Sequence, residues 1–275
     1  TDILKDKSSL DNDQLNMLYN SIYDHMQFVV ENLEWSKFSR TNHYLSNIVS
    51  LIVMANFLPL NDYNRGILSF AYNQLFNEIN NQFLNDGGNK EGSTGYHIFS
   101  NEMILIGLYF YKKNPINDHK AVNNIKSLFN KIGLIIESSQ KLNSSLEKKV
   151  YRKVENINHF SSSCLRNDKS FIQIGDNDSG CFFPFNINNI NEEQKYFQHN
   201  IRGVNTNIPF FSYLKRLNIK VKPHISLNKT VDIKDNGLKK KIDKLSKKNK
   251  RIFNISFPEK IDLKNMKVNS FPDFG

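Results

Sequence analysis

The sequence predicts a mainly α-helical protein built of antiparallel helical hairpins, with minor β structure toward the C-terminus. Three observations carry this. Apolar residues recur at three- and four-residue steps through the first half of the chain, the signature of one buried helical face. The connections between those stretches are short and marked by Pro, Gly, Asn or Asp, which makes sequential helices pack antiparallel. After about Phe160 the texture changes to short apolar runs around turn residues.

The first helix carries Leu15, Leu18, Tyr19, Ile22, Met26, Val29, Val30 and Leu33 on one face. A second follows Asn42, with Leu45, Ile48, Val49, Ile52 and Val53, and ends near Pro59. A third opens at about Asp62, a candidate N-cap, and runs through Ile67, Phe70, Ala71, Leu75, Ile79 and Phe83. It is expected to stop at Asp86-Gly87-Gly88, where glycine accepts the left-handed capping conformation. A fourth follows Tyr96, with Met103, Ile104, Leu108 and Tyr111 before Pro115. A fifth is expected over 118–137, and a sixth opens at Ser144, with Glu147 at capping-box spacing. Stacked hairpins of this kind build a bundle, a solenoid or a closed toroid; no repeat of fixed period supports the solenoid.

Beyond these helices, 171–174 and 181–183 flank Gly175-Asp-Asn-Asp-Ser-Gly180 and read as a hairpin or tight turn. A short helix is expected over 191–198, a lysine-rich polar helix or linker over 234–251, and a strand over 253–257. The chain begins at Thr1 and stops after Phe274-Gly275, so both ends are expected to have been cut from a longer protein.

Composition narrows the function. Hydrophobic residues make up 39% and aromatics 12% of the 275 residues, too many for a disordered chain. The net charge of +10 is unevenly placed: residues 1–204 hold 20 basic and 21 acidic side chains, net −1, and residues 205–275 hold 17 and 6, net +11. A basic tail can meet nucleic acid, anionic lipid or an acidic glycan, but a lysine run is more often a solvated face. No nucleic-acid partner is expected, because only the tail argues for one. No apolar run approaches the roughly 18 residues of a membrane span. Cys164 and Cys181 form no Cys-x-x-Cys or Cys/His cluster, so no zinc site is expected within the chain, and whether they pair stays open. Asp176-Asn-Asp178-Ser-Gly180 resembles half a calcium loop but puts Gly180 at the third ligand position and Ile187 where the bidentate Glu belongs. No metal and no cofactor are expected.

Two polar groupings stand out. Asp86-Gly-Gly-Asn-Lys-Glu-Gly-Ser-Thr-Gly-Tyr96-His97 is a glycine-rich stretch between two helices. Thr41-Asn42-His43-Tyr44 starts an apolar helix. Alone, the first reads more readily as an ordinary helix–helix loop and the second as an Asn cap beside a structural His. Together, Asn32-Leu-Glu-Trp35, Asn42-His-Tyr-Leu-Ser-Asn47 and Gln82-Phe-Leu-Asn-Asp-Gly-Gly-Asn-Lys-Glu-Gly-Ser-Thr-Gly-Tyr-His97 resemble the heparinase II/III-like family of polysaccharide lyases. Ile174-Gly-Asp-Asn-Asp-Ser-Gly180 is similar to the stretch that closes that family's helical domain, so the similarity extends in order over residues 23–180. The terminal Ser270-Phe-Pro-Asp-Phe-Gly275 resembles the start of the β-sandwich domain that follows.

The resemblance implies an incomplete (α/α) toroid over residues 1–204, truncated at its N-terminus, then a basic linker and the start of a sandwich domain over 205–275. It implies β-elimination on a uronate-containing acidic polysaccharide, by a bacterial protein of the periplasm or cell envelope. Asn42 and His43 match positions that neutralise the uronate carboxylate, and Tyr96 matches the catalytic tyrosine. A tyrosine with a free pKa of about 10 needs positive or hydrogen-bonding neighbours to act as a base near neutrality; His97 or His43 is expected to supply one. Glu91 is expected to position sugar hydroxyls or orient a histidine. Trp35 reads as a sugar platform or as core. His159, Arg166, Asp176 and Asp178 are expected toward the far end of the cleft. The family often adds a His or Tyr from the sandwich domain. Two other functions remain in view: a glycan-binding or surface-polysaccharide assembly protein without turnover, and a toroid glycoside hydrolase using Glu91 and Asp176, which needs carboxyls about 5–10 Å apart.

Overall fold

The computed structural model describes residues 10–164 and 172–176, all within one compact unit. They form seven helices: α1 (Asn12–Glu31), α2 (Asn42–Phe57), α3 (Asp62–Gln82), α4 (Thr94–Lys113), α5 (His119–Leu128), α6 (Asn130–Glu137) and α7 (Ser144–Ser163). The expected mainly helical class is what is found, and the described residues contain one isolated bridge, Phe83 to Asn89.

Local chemistry moves several boundaries. Helix α1 opens with a capping box between Asp11 and Gln14. The cap of α3 is Asn61, whose side chain accepts from the Asn64 amide, one residue before Asp62. Helix α3 ends at Gln82 with Phe83 extended, earlier than its apolar periodicity suggests. Gly87 does adopt positive φ, at 99°, but inside the loop. A Cβ there would lie 2.3 Å from the Asn156 carbonyl oxygen, so this glycine lets the loop lie flat against α7. Helix α4 begins at Thr94, two residues ahead of Tyr96. The cap of α7 is Asn143, accepting from the Leu146 amide, and not the expected Ser144–Glu147 box.

The expected helix over 118–137 is two helices. Phe129, at φ −130° and ψ 103°, is extended and divides α5 from α6. Ile125, Ile132 and Ile135 are all buried, and Lys126 reaches back to Glu137 at 2.9 Å. Packing decides here: a short helix gains most of its stability from its apolar face, so the chain bends where bending buries both faces.

Helix α3 is the hub, packing on α2, α4, α5 and α7. Its side chains are buried on almost every side. Its polar ones are tied to neighbours, as buried polar groups must be. Gln74 bonds Tyr44 and Ser139, and Asn77 bonds the Gln140 carbonyl. Contacts along α2 and α3 run in opposite order: Thr41 meets Gln82, Tyr44 meets Gln74 and Asn56 meets Tyr72. Phe83 packs on His97 and Leu75 on Gly107, so α4 is also antiparallel to α3. Helices α2 and α4 pack on each other and present their N-termini at the end where α3 finishes.

Candidate active site

That shared end holds Asn42, His43, Glu91 and Tyr96. Thr41 caps α2 without a side-chain bond, and Asn42 is the first helical residue, not the cap. The missing cap comes from 49 residues away. Glu91 Oε1 accepts from the Asn42 backbone amide and Glu91 Oε2 from Asn42 Nδ2, both at 2.9 Å. A carboxylate at a helix N-terminus satisfies an orphan donor and meets the positive end of the dipole. Asn42 is only 7% exposed.

The loop that delivers Glu91 is held at several points. The Lys90 amide bonds the Gln82 carbonyl at 2.9 Å, Gln82 Nε2 bonds the Thr41 carbonyl at 2.9 Å, and the Glu91 amide bonds Asn89 Oδ1 at 2.8 Å. Two residues on, Ser93 caps α4 by accepting from the Gly95 and Tyr96 amides. Tyr96 is therefore in the first turn of a helix whose start is joined through Glu91 to the start of α2. It is partly buried.

His43 is exposed, with 63% of its side chain accessible, and its Nδ1 lies 3.0 Å from Glu34 Oε2. An ionised carboxylate only accepts, so Nδ1 carries the hydrogen and Nε2 is left for other partners. The Glu34 amide is itself anchored to Asn47 Oδ1 at 2.7 Å, one helical turn beyond His43. An exposed pair of this kind contributes about 0–1 kcal/mol to stability; its effect is on the orientation of the ring.

His97 is placed elsewhere. It is fully buried, its ring packed between Phe83 and Phe160 at centroid distances of 5.7 and 4.6 Å, with Nε2 2.7 Å from Ser161 Oγ. Burial drives its pKa down to about 3, against small opposing contributions from the Ile157 backbone and Asp86. It is a neutral core histidine joined to Asn101 through Ser161. The structure places it in the core, apart from the exposed ring of His43, whereas the sequence predicts it beside the substrate.

The remaining candidates divide. Trp35 is partly buried against the core, with the Arg40 guanidinium 5.7 Å from its ring centroid. Arg40 bonds Glu78 at 2.9 Å, a pair with no sequence signal. Burial raises the Glu78 carboxyl even against the donors Gln82, Arg40 and Asn81. His159 is on α7, which packs on α3 and α4. Asp176 is at the start of α4: its carbonyl accepts from Ser93 Oγ, and the Thr94 amide bonds the Ile174 carbonyl at 3.0 Å. Gly175 makes this approach possible, with φ 74° and a Cβ position 2.6 Å from the Gly92 carbonyl. Gly87 and Gly175 thus each allow one segment of the chain to approach another closely. Cys164 is buried, and burial raises its thiol to about 12. Arg166, Asp178, Cys181 and the elements expected over 181–275 lie outside the described residues.

Among the described residues, no group of three or more His, Cys, Asp or Glu could hold a metal ion, and no helix is long and apolar enough to cross a membrane. A family model described as Heparinase II/III N-terminus matches residues 2–139, half of the chain and the part that holds Asn42, His43, Glu91 and Tyr96. No curated protein and no solved structure matches the chain.

Proposed function

The chain belongs to the heparinase II/III family, and from that premise we propose that it is a polysaccharide lyase cleaving a uronate-containing acidic glycan by β-elimination on an incomplete (α/α) toroid. The observation that carries the proposal is the clamp of Glu91 on Asn42, which ties the helix start bearing Asn42 and His43 to the one bearing Tyr96.

The chemistry suits these groups. The C5 hydrogen of a uronate is too weakly acidic to leave while the adjacent carboxylate keeps its charge. Hydrogen-bond donors aimed at that carboxylate stabilise the enolate-like state, as an oxyanion hole does. Asn42 offers its second Nδ2 hydrogen, and His43, with its Nδ1 hydrogen directed at Glu34, donates from Nε2 when the ring carries both protons. Tyr96 takes the C5 proton. The electron pair forms the C4–C5 double bond, the C4–O bond breaks, and the departing oxygen is protonated by Tyr96 or by a group beyond the described residues. Of the two histidines expected to assist Tyr96, only His43 is exposed. The proposed place of action is the periplasm or cell envelope.

The test is incubation of the full-length protein with alginate, polygalacturonate, hyaluronan and heparan sulfate, followed by unsaturated-uronate absorbance. Absorbance that grows with enzyme and falls sharply, to a measurable residue, in Asn42→Ala supports the proposal. Glycan binding without absorbance turns the reading to a non-catalytic glycan-binding protein, and new reducing ends without absorbance turn it to a hydrolase.

A further inference from the structure

Glu91 was expected to touch sugar or a histidine, yet both of its carboxylate oxygens are engaged by a single residue, Asn42, through backbone and side chain. We propose that Glu91 is a positioning residue that acts through Asn42, setting the torsion of the Asn42 amide and its distance from Tyr96; this rests on the lyase reading of Asn42 given above. One hydrogen bond to the side chain would leave Asn42 free to turn. Two bonds from one planar group fix the backbone where α2 begins and the amide together. One Nδ2 hydrogen is used, so the second hydrogen and Oδ1 are what Asn42 can offer a ligand. The anchor is stiff, because Glu91 sits between the Asn89 turn and the Ser93 cap, with Asn89 Oδ1 holding its own amide. Such support is what holds a reacting group in place, and misplacement by about 1 Å can cost about 100-fold in rate.

A free Glu91 carboxylate beside the subsite for a uronate carboxylate would repel the substrate. Here the negative charge faces the N-terminus of α2 and two N–H donors, which offset it.

The experiment is a double-mutant cycle with an activity-independent arm. Glu91→Gln keeps one acceptor and loses the other. In the full-length protein, kcat on whichever polyuronate of the panel is cleaved should fall about 10- to 100-fold, the loss typical of outer-shell support groups, with KM changed less than about threefold. The double variant Asn42→Ala/Glu91→Gln should be no slower than Asn42→Ala alone. Additive losses, or a loss confined to KM, would mean that Glu91 meets the sugar directly and would overturn the proposal. In parallel, the Asn42 side-chain amide resonances, identified by their disappearance in Asn42→Ala, should move in Glu91→Gln without glycan present. Unmoved resonances sink the Glu91 proposal alone. Moved resonances with full activity in Asn42→Ala sink the lyase reading of the site, and the role in elimination with it.

Discussion

At the scale of single residues, two histidines differ by environment alone. His43 is held by a carboxylate in water, while His97 is in a ring-lined interior where burial outweighs the opposing contributions of the Ile157 backbone and Asp86. The pKa of His97 in the folded state, about 3, is below its ordinary value of 6.5. The unfolded chain therefore takes up a proton as pH falls through 6.5 and the folded one does not until about 3. The stabilisation is complete above 6.5 and is lost as pH falls through this window, by up to about 5 kcal/mol. His97→Gln should flatten the dependence of Tm on pH between about 6.5 and 3. Identical slopes for the two proteins would assign the acid sensitivity to other groups. Tyr96→Phe removes one hydroxyl and keeps the ring, so it should lower kcat by about 10²–10⁴-fold and leave glycan affinity nearly intact. His43→Ala should lower kcat/KM by about 3–4 kcal/mol of transition-state stabilisation and weaken binding as well. Retention of most activity in Tyr96→Phe would make the tyrosine structural.

At the scale of elements, the start of α4 depends on Ser93. Its Oγ accepts from the Gly95 and Tyr96 amides and donates to the Asp176 carbonyl, so one hydroxyl caps the helix and pins residues 172–176 across it. Ser93→Ala should cost about 1–2 kcal/mol in urea denaturation, with the larger share of the damage local. Amide exchange at Gly95, Tyr96 and Ile174 should accelerate while α1 and α5 keep their rates. Uniform acceleration would show a global loss and no special role for this cap. The sequence marks this loop as rich in glycine and polar groups, but it does not mark Ser93 as the cap: the expected helix began only after Tyr96.

At the scale of the whole molecule, stability should be graded outward from α3. This helix is enclosed by α2, α4, α5 and α7, whereas α1 packs chiefly on α2 and leaves Met17 and Phe28 exposed. Local opening costs least where few buried contacts are lost. Native-state hydrogen exchange should therefore find the slowest amides in the middle of α3, near Phe70 to Phe76, and faster ones in α1. Greater protection in α1 would contradict this ordering.

The sequence by itself determined that helices exist and where most of them lie, because the three- and four-residue recurrence of apolar side chains is local and survives any later packing. It also placed Asn42 and His43 at the start of one helix and Tyr96 close to the start of another. What it left to the tertiary structure is partnership and burial. The Glu91–Asn42 clamp spans 49 residues and Arg40–Glu78 spans 38, separations that no local period encodes. The break at Phe129 has no proline or glycine to announce it and follows from burying α5 and α6 together. His97 follows Tyr96 directly in the chain, yet it is fully buried and Tyr96 only partly. On a helix, adjacent residues point about 100° apart, and only the packing of α3 and α7 on α4 decides which direction is core.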